Sequence, residues 1–395
     1  MKIALVILVL LAPFLAAAQQ KPPIAQYWMS VETAAGMQIP GMEGMAGMMA
    51  GAMGGQRQAS GRKLQLQLGS QRPADAPSAA HDIPPGMSMG ASLPLVTPRG
   101  ISNPVNERRD PYEGGERPKG RMLIFWGCGE NVRAGQPMVI DFATIGQGQM
   151  PSGYVARRVA AGSPPGGRTT GQWPNQEDSK AVPDSASLLG DHAIRGNYTP
   201  EIRFALGSGQ DFMERVQLQV APRGAGTSVS WNSPSNATGY FATVMGSDGN
   251  DVVFWSSSDV QESGGMLMDY VPPFEVVRLI REKVVMPPQT TECAVPSEVT
   301  KRAGGSAMFN FIAYGPEANF AQPPRPQDPQ WAVKVRFKST AMTLLGEATG
   351  SVRGNRRAEP ARGSTGASAE TPPAQPSASD PIKDGINILR GIFGR

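Results

Sequence analysis

Apolar and polar residues alternate with a period of two along several short stretches, and that rhythm predicts strands rather than long helices. Residues 26–33 and 62–68 alternate in this way, and the second places Leu64, Leu66 and Leu68 on one face. Apolar runs at 122–126 and 138–142 read as further strands. From residue 201 the pattern recurs at short, even intervals, at 201–206, 215–220, 227–231, 240–245, 252–256 and 266–271. Residues 308–314 and 331–338 close the series, with Trp331, Val333, Val335 and Phe337 set against the charged Lys334, Arg336 and Lys338. One helical pattern interrupts it. After Pro272-Pro273, residues 274–280 suit a short helix with Phe274, Val277 and Ile280 on one side.

The same pattern divides the chain. Residues 1–18 read as an export signal: Lys2 supplies the positive end, residues 3–15 the apolar run, and Ala16-Ala17-Ala18 the cleavage pattern. Cleavage after Ala18 leaves Gln19 first, and the product is expected in a periplasm or outside the cell. The apolar run is shorter than a membrane-spanning helix requires, and no later segment predicts a transmembrane span. Residues 19–160 are expected to form an N-terminal β region, carrying a Met/Gly-rich insert (36–55) and a Pro/Gly-rich loop (70–120). Residues 161–185 read as a linker, 186–346 as a β-sandwich domain and 347–379 as a disordered linker. Residues 380–395 then suit an amphipathic helix. Asp380 is its N-cap, Pro381 sits at the first helical position, and Ile382, Ile386, Leu389 and Phe393 lie on one face.

Composition agrees with short strands and long loops: 47 Gly, 37 Pro and 7% aromatics in 395 residues leave little sequence for long helices. The fold class expected is mostly β, with one or two sandwich-like units, a short helix, long Gly/Pro-rich loops and a disordered C-terminal tail. Residues 227–231, ending in Trp231, then a Pro-containing turn and 239–244 with Tyr240, resemble the B and C strands of a fibronectin type III or related immunoglobulin-like domain. That resemblance implies a β-sandwich with Trp231 and Tyr240 in its core, and implies no ligand. Residues 246–254 resemble one calcium-binding nonapeptide of the repeats-in-toxin type. A single copy cannot stack into a β-roll, and Gly249-Asn250 suits a tight turn, so a hairpin is expected there.

Charge and chemistry narrow the function. A net charge of +4, with arginine pairs scattered among Pro and Gly and no aromatic-interleaved basic stripe, argues against nucleic acid. Cys128 and Cys293 are the only cysteines, and in an oxidising compartment they are expected to pair. Met42, Met45, Met48, Met49 and Met53 in the insert carry soft thioethers of the kind that select Cu(I), so copper handling is the alternative to a protein without cofactor. The chain holds only two histidines, His81 and His192, and none of the common hydrolase or phosphate-binding motifs. Asp191 and His192 are neighbours that a strand would turn to opposite sides, and His192 reads as a loop residue. The expectation is an exported, non-catalytic protein acting by binding or structural interaction. Its contacts would be a protein partner or a second copy through Ile382, Ile386, Leu389 and Phe393, with weak membrane-surface contact a further option. A hydrolase with a site invisible in the sequence is the remaining alternative.

Overall fold

The computed structural model describes residues 22–38, 60–98, 120–145, 153–154, 157–263, 265–304, 307–323 and 329–345. These are mostly β. Strand β1 (Ala25–Gln38) shows how the alternating pattern is used. Tyr27, Met29 and Val31 are buried on one face, while Trp28, Ser30 and Glu32 take the other. β1 pairs antiparallel with β2 (Gly61–Ser70), whose Leu64, Leu66 and Leu68 are all buried. On its other side it pairs in parallel with the last described strand, β16 (Trp331–Leu345).

The remaining strands are β3 (Ala79–Asp82), β4 (Ser92–Pro94), β5 (Arg121–Trp126), β6 (Met138–Asp141), β7 (Thr169–Trp173), β8 (Gly190–Gly196), β9 (Ile202–Leu206), β10 (Leu218–Arg223), β11 (Gly226–Trp231), β12 (Gly239–Asp248), β13 (Asp251–Ser256), β14 (Glu292–Val295) and β15 (Ala307–Gln322). They form three sheets. The largest has nine strands in the order β6-β5-β13-β12-β15-β16-β1-β2-β7; the others are β10-β11-β14 and β4-β3-β8-β9. Both small sheets contribute to one core with the inner face of the large sheet, through Val229, Trp231 and Val295 on one and Leu93, Ile194, Ile202 and Phe204 on the other. Val333, Val335 and Phe337 of β16 sit in that core, and full burial of each such side chain contributes about 1.5–3 kcal/mol.

The opposite face of the large sheet carries a second apolar cluster. Helix α2 (Pro273–Arg281) covers it with Val276 and Leu279, against Phe241 of β12 and Ile312 and Tyr314 of β15. Two shorter α-helices, α1 (Phe142–Ile145) and α3 (Ser297–Arg302), and a 3-10 turn at Pro85–Met87 complete the described elements. No helix among the described residues is long and apolar enough to cross a membrane.

Several expectations change. α2 buries Val276 and Leu279, with Ile280 partly buried beside them, and leaves Phe274 63% and Val277 53% exposed. Residues 276–280 offer apolar side chains to two adjacent faces, and the sheet took the one that also buries Glu275 against Arg278. Residues 266–271 form turns, not a strand, although Leu267 and Val271 are buried in the second cluster. The stretch 161–185 contains β7, the edge strand beside β2, and strands from both sides of it share the nine-stranded sheet. Within 70–120, β3 and β4 are strands, and the Pro-containing β4 lies at a sheet edge.

Other expectations stand. The β12–β13 hairpin turns through Gly249 and Asn250, with Gly249 at φ +57°, a region a side chain disfavours. Trp231 and Tyr240 lie in different sheets and meet edge-to-face in the core, centroids 5.5 Å apart.

Candidate functional site

Cys128, just beyond β5, is bonded to Cys293 of β14. The expected pair therefore ties the nine-stranded sheet to the three-stranded one. Met42, Met45, Met48, Met49 and Met53 lie outside the described residues, between the end of β1 at Gln38 and the start of β2 at Gly61. Ile382, Ile386, Leu389 and Phe393 lie outside them as well, as do residues 1–18. Among the described residues no group of three or more His, Cys, Asp or Glu is placed to hold a metal ion.

Two clusters that the sequence did not announce come together instead. The first is internal. His81 on β3 and His192 on β8 are buried strand residues, so the loop placement expected for His192 is corrected; Asp191 beside it does face outward. Tyr27 Oη lies 2.8 Å from His81 Nδ1, His81 Nε2 lies 2.9 Å from His192 Nδ1, and His192 Nε2 lies 2.7 Å from the Leu188 carbonyl. The carbonyl can only accept, so His192 carries its proton on Nε2. Its Nδ1 then accepts from His81 Nε2–H, and His81 Nδ1 accepts from the tyrosine hydroxyl. The chain is satisfied from end to end with both imidazoles neutral. Burial, then the neighbouring His192, pushes the His81 pKa well below its ordinary value. Burial also lowers His192, opposed by the Leu188 carbonyl and Asp191. Phe204 stacks on His192 with centroids 4.9 Å apart. Since both ring nitrogens of each histidine are committed, the cluster is a structural clasp between the four-stranded sheet and β1.

The second cluster is on the outer face of the large sheet, where the alternate residues of β1 and β16 emerge. Arg336 lies between two rings, 4.7 Å from the centroid of Trp28 and 4.3 Å from that of Tyr270. Its Nε donates to Ser30 Oγ at 2.7 Å. The lysines on either side are paired: Lys334 with Glu317 at 3.4 Å, and Lys338 with Asp269 at 3.0 Å and Glu32 at 3.6 Å. Among the described residues no carboxylate lies within ion-pair distance of Arg336. Burial lowers its pKa, opposed by Tyr270, Asp269 and Glu317. Burial alone would raise the carboxyl of Asp269, but Lys338 beside it brings it below the usual range.

Arg336 also lines a crevice with Tyr270, Pro272, Pro273, Pro316 and Glu317. It is a shallow depression open to the surface, with about 260 Å³ of space between its walls and solvent. Pro272 and Pro273 begin α2, and the helix continues from the crevice with Phe274, Val277 and Arg281 exposed at i, i+3 and i+7 on one stripe. The β16 alternation places Arg336 on the outer face, but nothing in the sequence links it to Tyr270 or to the start of α2. Compared with known proteins, the chain matches no family model, no curated protein and no solved structure.

Proposed function

We propose that the chain is an exported, non-catalytic protein that works by binding a partner through the face made by α2 and the crevice at its start. The observation that carries this reading is the exposed stripe Phe274–Val277–Arg281. Two apolar side chains more than half exposed on one helix, while Val276 and Leu279 beneath them are fully buried, form a raised apolar contact. Arg281 at its far end and Arg336 at its near end favour an acidic partner. The disulfide supports export, because such bonds persist in oxidising compartments. The full commitment of His81 and His192 to internal hydrogen bonds supports a non-catalytic role. Trp231 against Tyr240 supports an immunoglobulin-like layering of the β11–β12 region, built here into a larger sheet.

Two measurements test this in the producing cells. N-terminal sequencing of the envelope and medium fractions is expected to find a mature chain starting at Gln19; a cytosolic chain retaining residues 1–18 would end the export reading. A photo-crosslinking amino acid placed at Phe274 or Val277 is expected to give one discrete adduct, and the same probe at exposed Gln65 of β2 none. Equal labelling at all three positions would remove α2 as the contact.

A further inference from the structure

We propose that Arg336 is a carboxylate-binding site, and that the group it takes is the carboxyl end of a peptide whose last side chain is apolar. This rests on the reading of the α2 face as the contact surface and names the chemistry recognised there. On this patch Lys63, Lys334 and Lys338 pair with the carboxylates of Glu32, Glu317 and Asp269, and among the described residues Arg336 is left without one. The local carboxylates are thus already committed, so a carboxylate arriving from outside meets a cation free to take it. The guanidinium has five N–H donors, and among the described residues only Nε–H finds a hydrogen-bond acceptor, Ser30 Oγ. The terminal nitrogens keep the flat, paired geometry that matches the two oxygens of a carboxylate.

The rings of Trp28 and Tyr270 both pack against the guanidinium, so little side-chain freedom is lost when a ligand docks. These rings also displace water from around the charge, which strengthens an ionic hydrogen bond made there. A single guanidinium beside the Glu317 carboxylate suits the singly charged carboxylate of a chain end better than a doubly charged phosphate. The walls define what precedes that end. Val271, Pro272, Pro273 and Pro316 line the crevice beside the Glu317 carboxylate, so an apolar terminal residue suits it better than an acidic one. Beyond the crevice, Phe274 and Val277 continue the apolar track for the preceding residues.

The test is calorimetric titration of the folded chain with N-acetyl-alanyl-phenylalanine and with its carboxamide. The free acid is expected to bind at least tenfold more tightly than the amide. Arg336→Gln should abolish that difference, and Arg336→Lys should retain part of it, since a lysine keeps the charge but loses the paired donors. Circular dichroism and urea midpoints of both variants establish that each is folded before it is titrated. Equal binding of acid and amide, or an acid preference that survives Arg336→Gln, would overturn the site, as would no binding of the free acid. A Phe274→Asp variant separates the two levels. If peptides bind and lose affinity on Phe274→Asp while ignoring Arg336→Gln, the α2 contact face stands and the carboxylate site falls.

Discussion

Acidification from pH 7.5 to 5 should destabilise this protein through its two histidines, before any carboxylate titrates. In the unfolded chain a histidine has a pKa of about 6.5. In the folded chain, Nε2–H of His81 already points at His192 Nδ1, so a proton added to that atom would face another N–H across 2.9 Å. Protonating His81 Nδ1 would displace the Tyr27 hydroxyl proton that it accepts. Both imidazoles therefore stay neutral below the pH at which the unfolded chain binds protons, and their folded pKa values are depressed. The unfolded state then holds more protons, so stability is complete above pH ~6.5 and falls with decreasing pH until the folded pKa is reached. Each unit in that window costs about 1.4 kcal/mol per histidine. The loss accumulates until each histidine reaches its own folded pKa, so His81, the more deeply shifted, contributes the larger part. Against a total of roughly 5–15 kcal/mol this is large. Urea unfolding at half-unit steps of pH measures it, and the double variant His81→Gln, His192→Gln should show a much flatter profile over the same window. The carboxylates with lowered pKa values, such as Asp251 and Glu201, contribute only at lower pH, which keeps the window clean. A stability that is flat from pH 7.5 to 5, or a slope unchanged in the double variant, would refute the neutral chain.

Other consequences follow from single groups. Reducing the Cys128–Cys293 bond opens a loop with a sequence separation of 165, and the chain-entropy relation gives a loss of about 5 kcal/mol, measurable as a lower urea midpoint with reductant. Tyr240→Phe removes a buried hydroxyl that has no hydrogen-bond partner among the described residues, so stability should be unchanged or higher by up to about 1 kcal/mol. A loss greater than that in denaturant titration would reveal a partner for the hydroxyl, such as a buried water. Replacing Phe274 and Val277 together by serine should alter stability by no more than about 1 kcal/mol, since both are largely exposed, while abolishing the adduct formed by the same photo-crosslinking amino acid placed at Arg281 on that stripe. A much larger loss of thermal stability would mean that these side chains serve packing instead.

The sequence carried most of the strands because their inward residues are large and regularly spaced. Leu64, Leu66 and Leu68 in β2 and Trp331 to Phe337 in β16 could face the core in one way only. β7 was missed because its buried positions are Thr169, Gly171 and Trp173, and only one of the three is a large apolar side chain. The face of α2 was misread because Val276, Val277, Leu279 and Ile280 satisfy two helical stripes, and only the position of Phe241, Ile312 and Tyr314 decides between them. The disulfide was readable from the expected compartment and the even cysteine count. His81 and His192 stand 111 residues apart, and Arg336 and Tyr270 meet across a turn that resembled a strand. Contacts of that kind leave no periodic trace, since they depend on which strands the topology makes neighbours. The parallel pairing of β1 with β16 is one such result: it joins the two ends of the described chain and builds the face on which Trp28 meets Arg336.

The most direct test of the central claim is selection from a peptide library displayed with free carboxyl ends, against the folded chain and against its Phe274→Asp and Arg336→Gln variants. The account predicts convergence on peptides with an apolar last residue, bound by the wild-type chain and lost on both variants. Enriched peptides that bind all three proteins equally would contradict it.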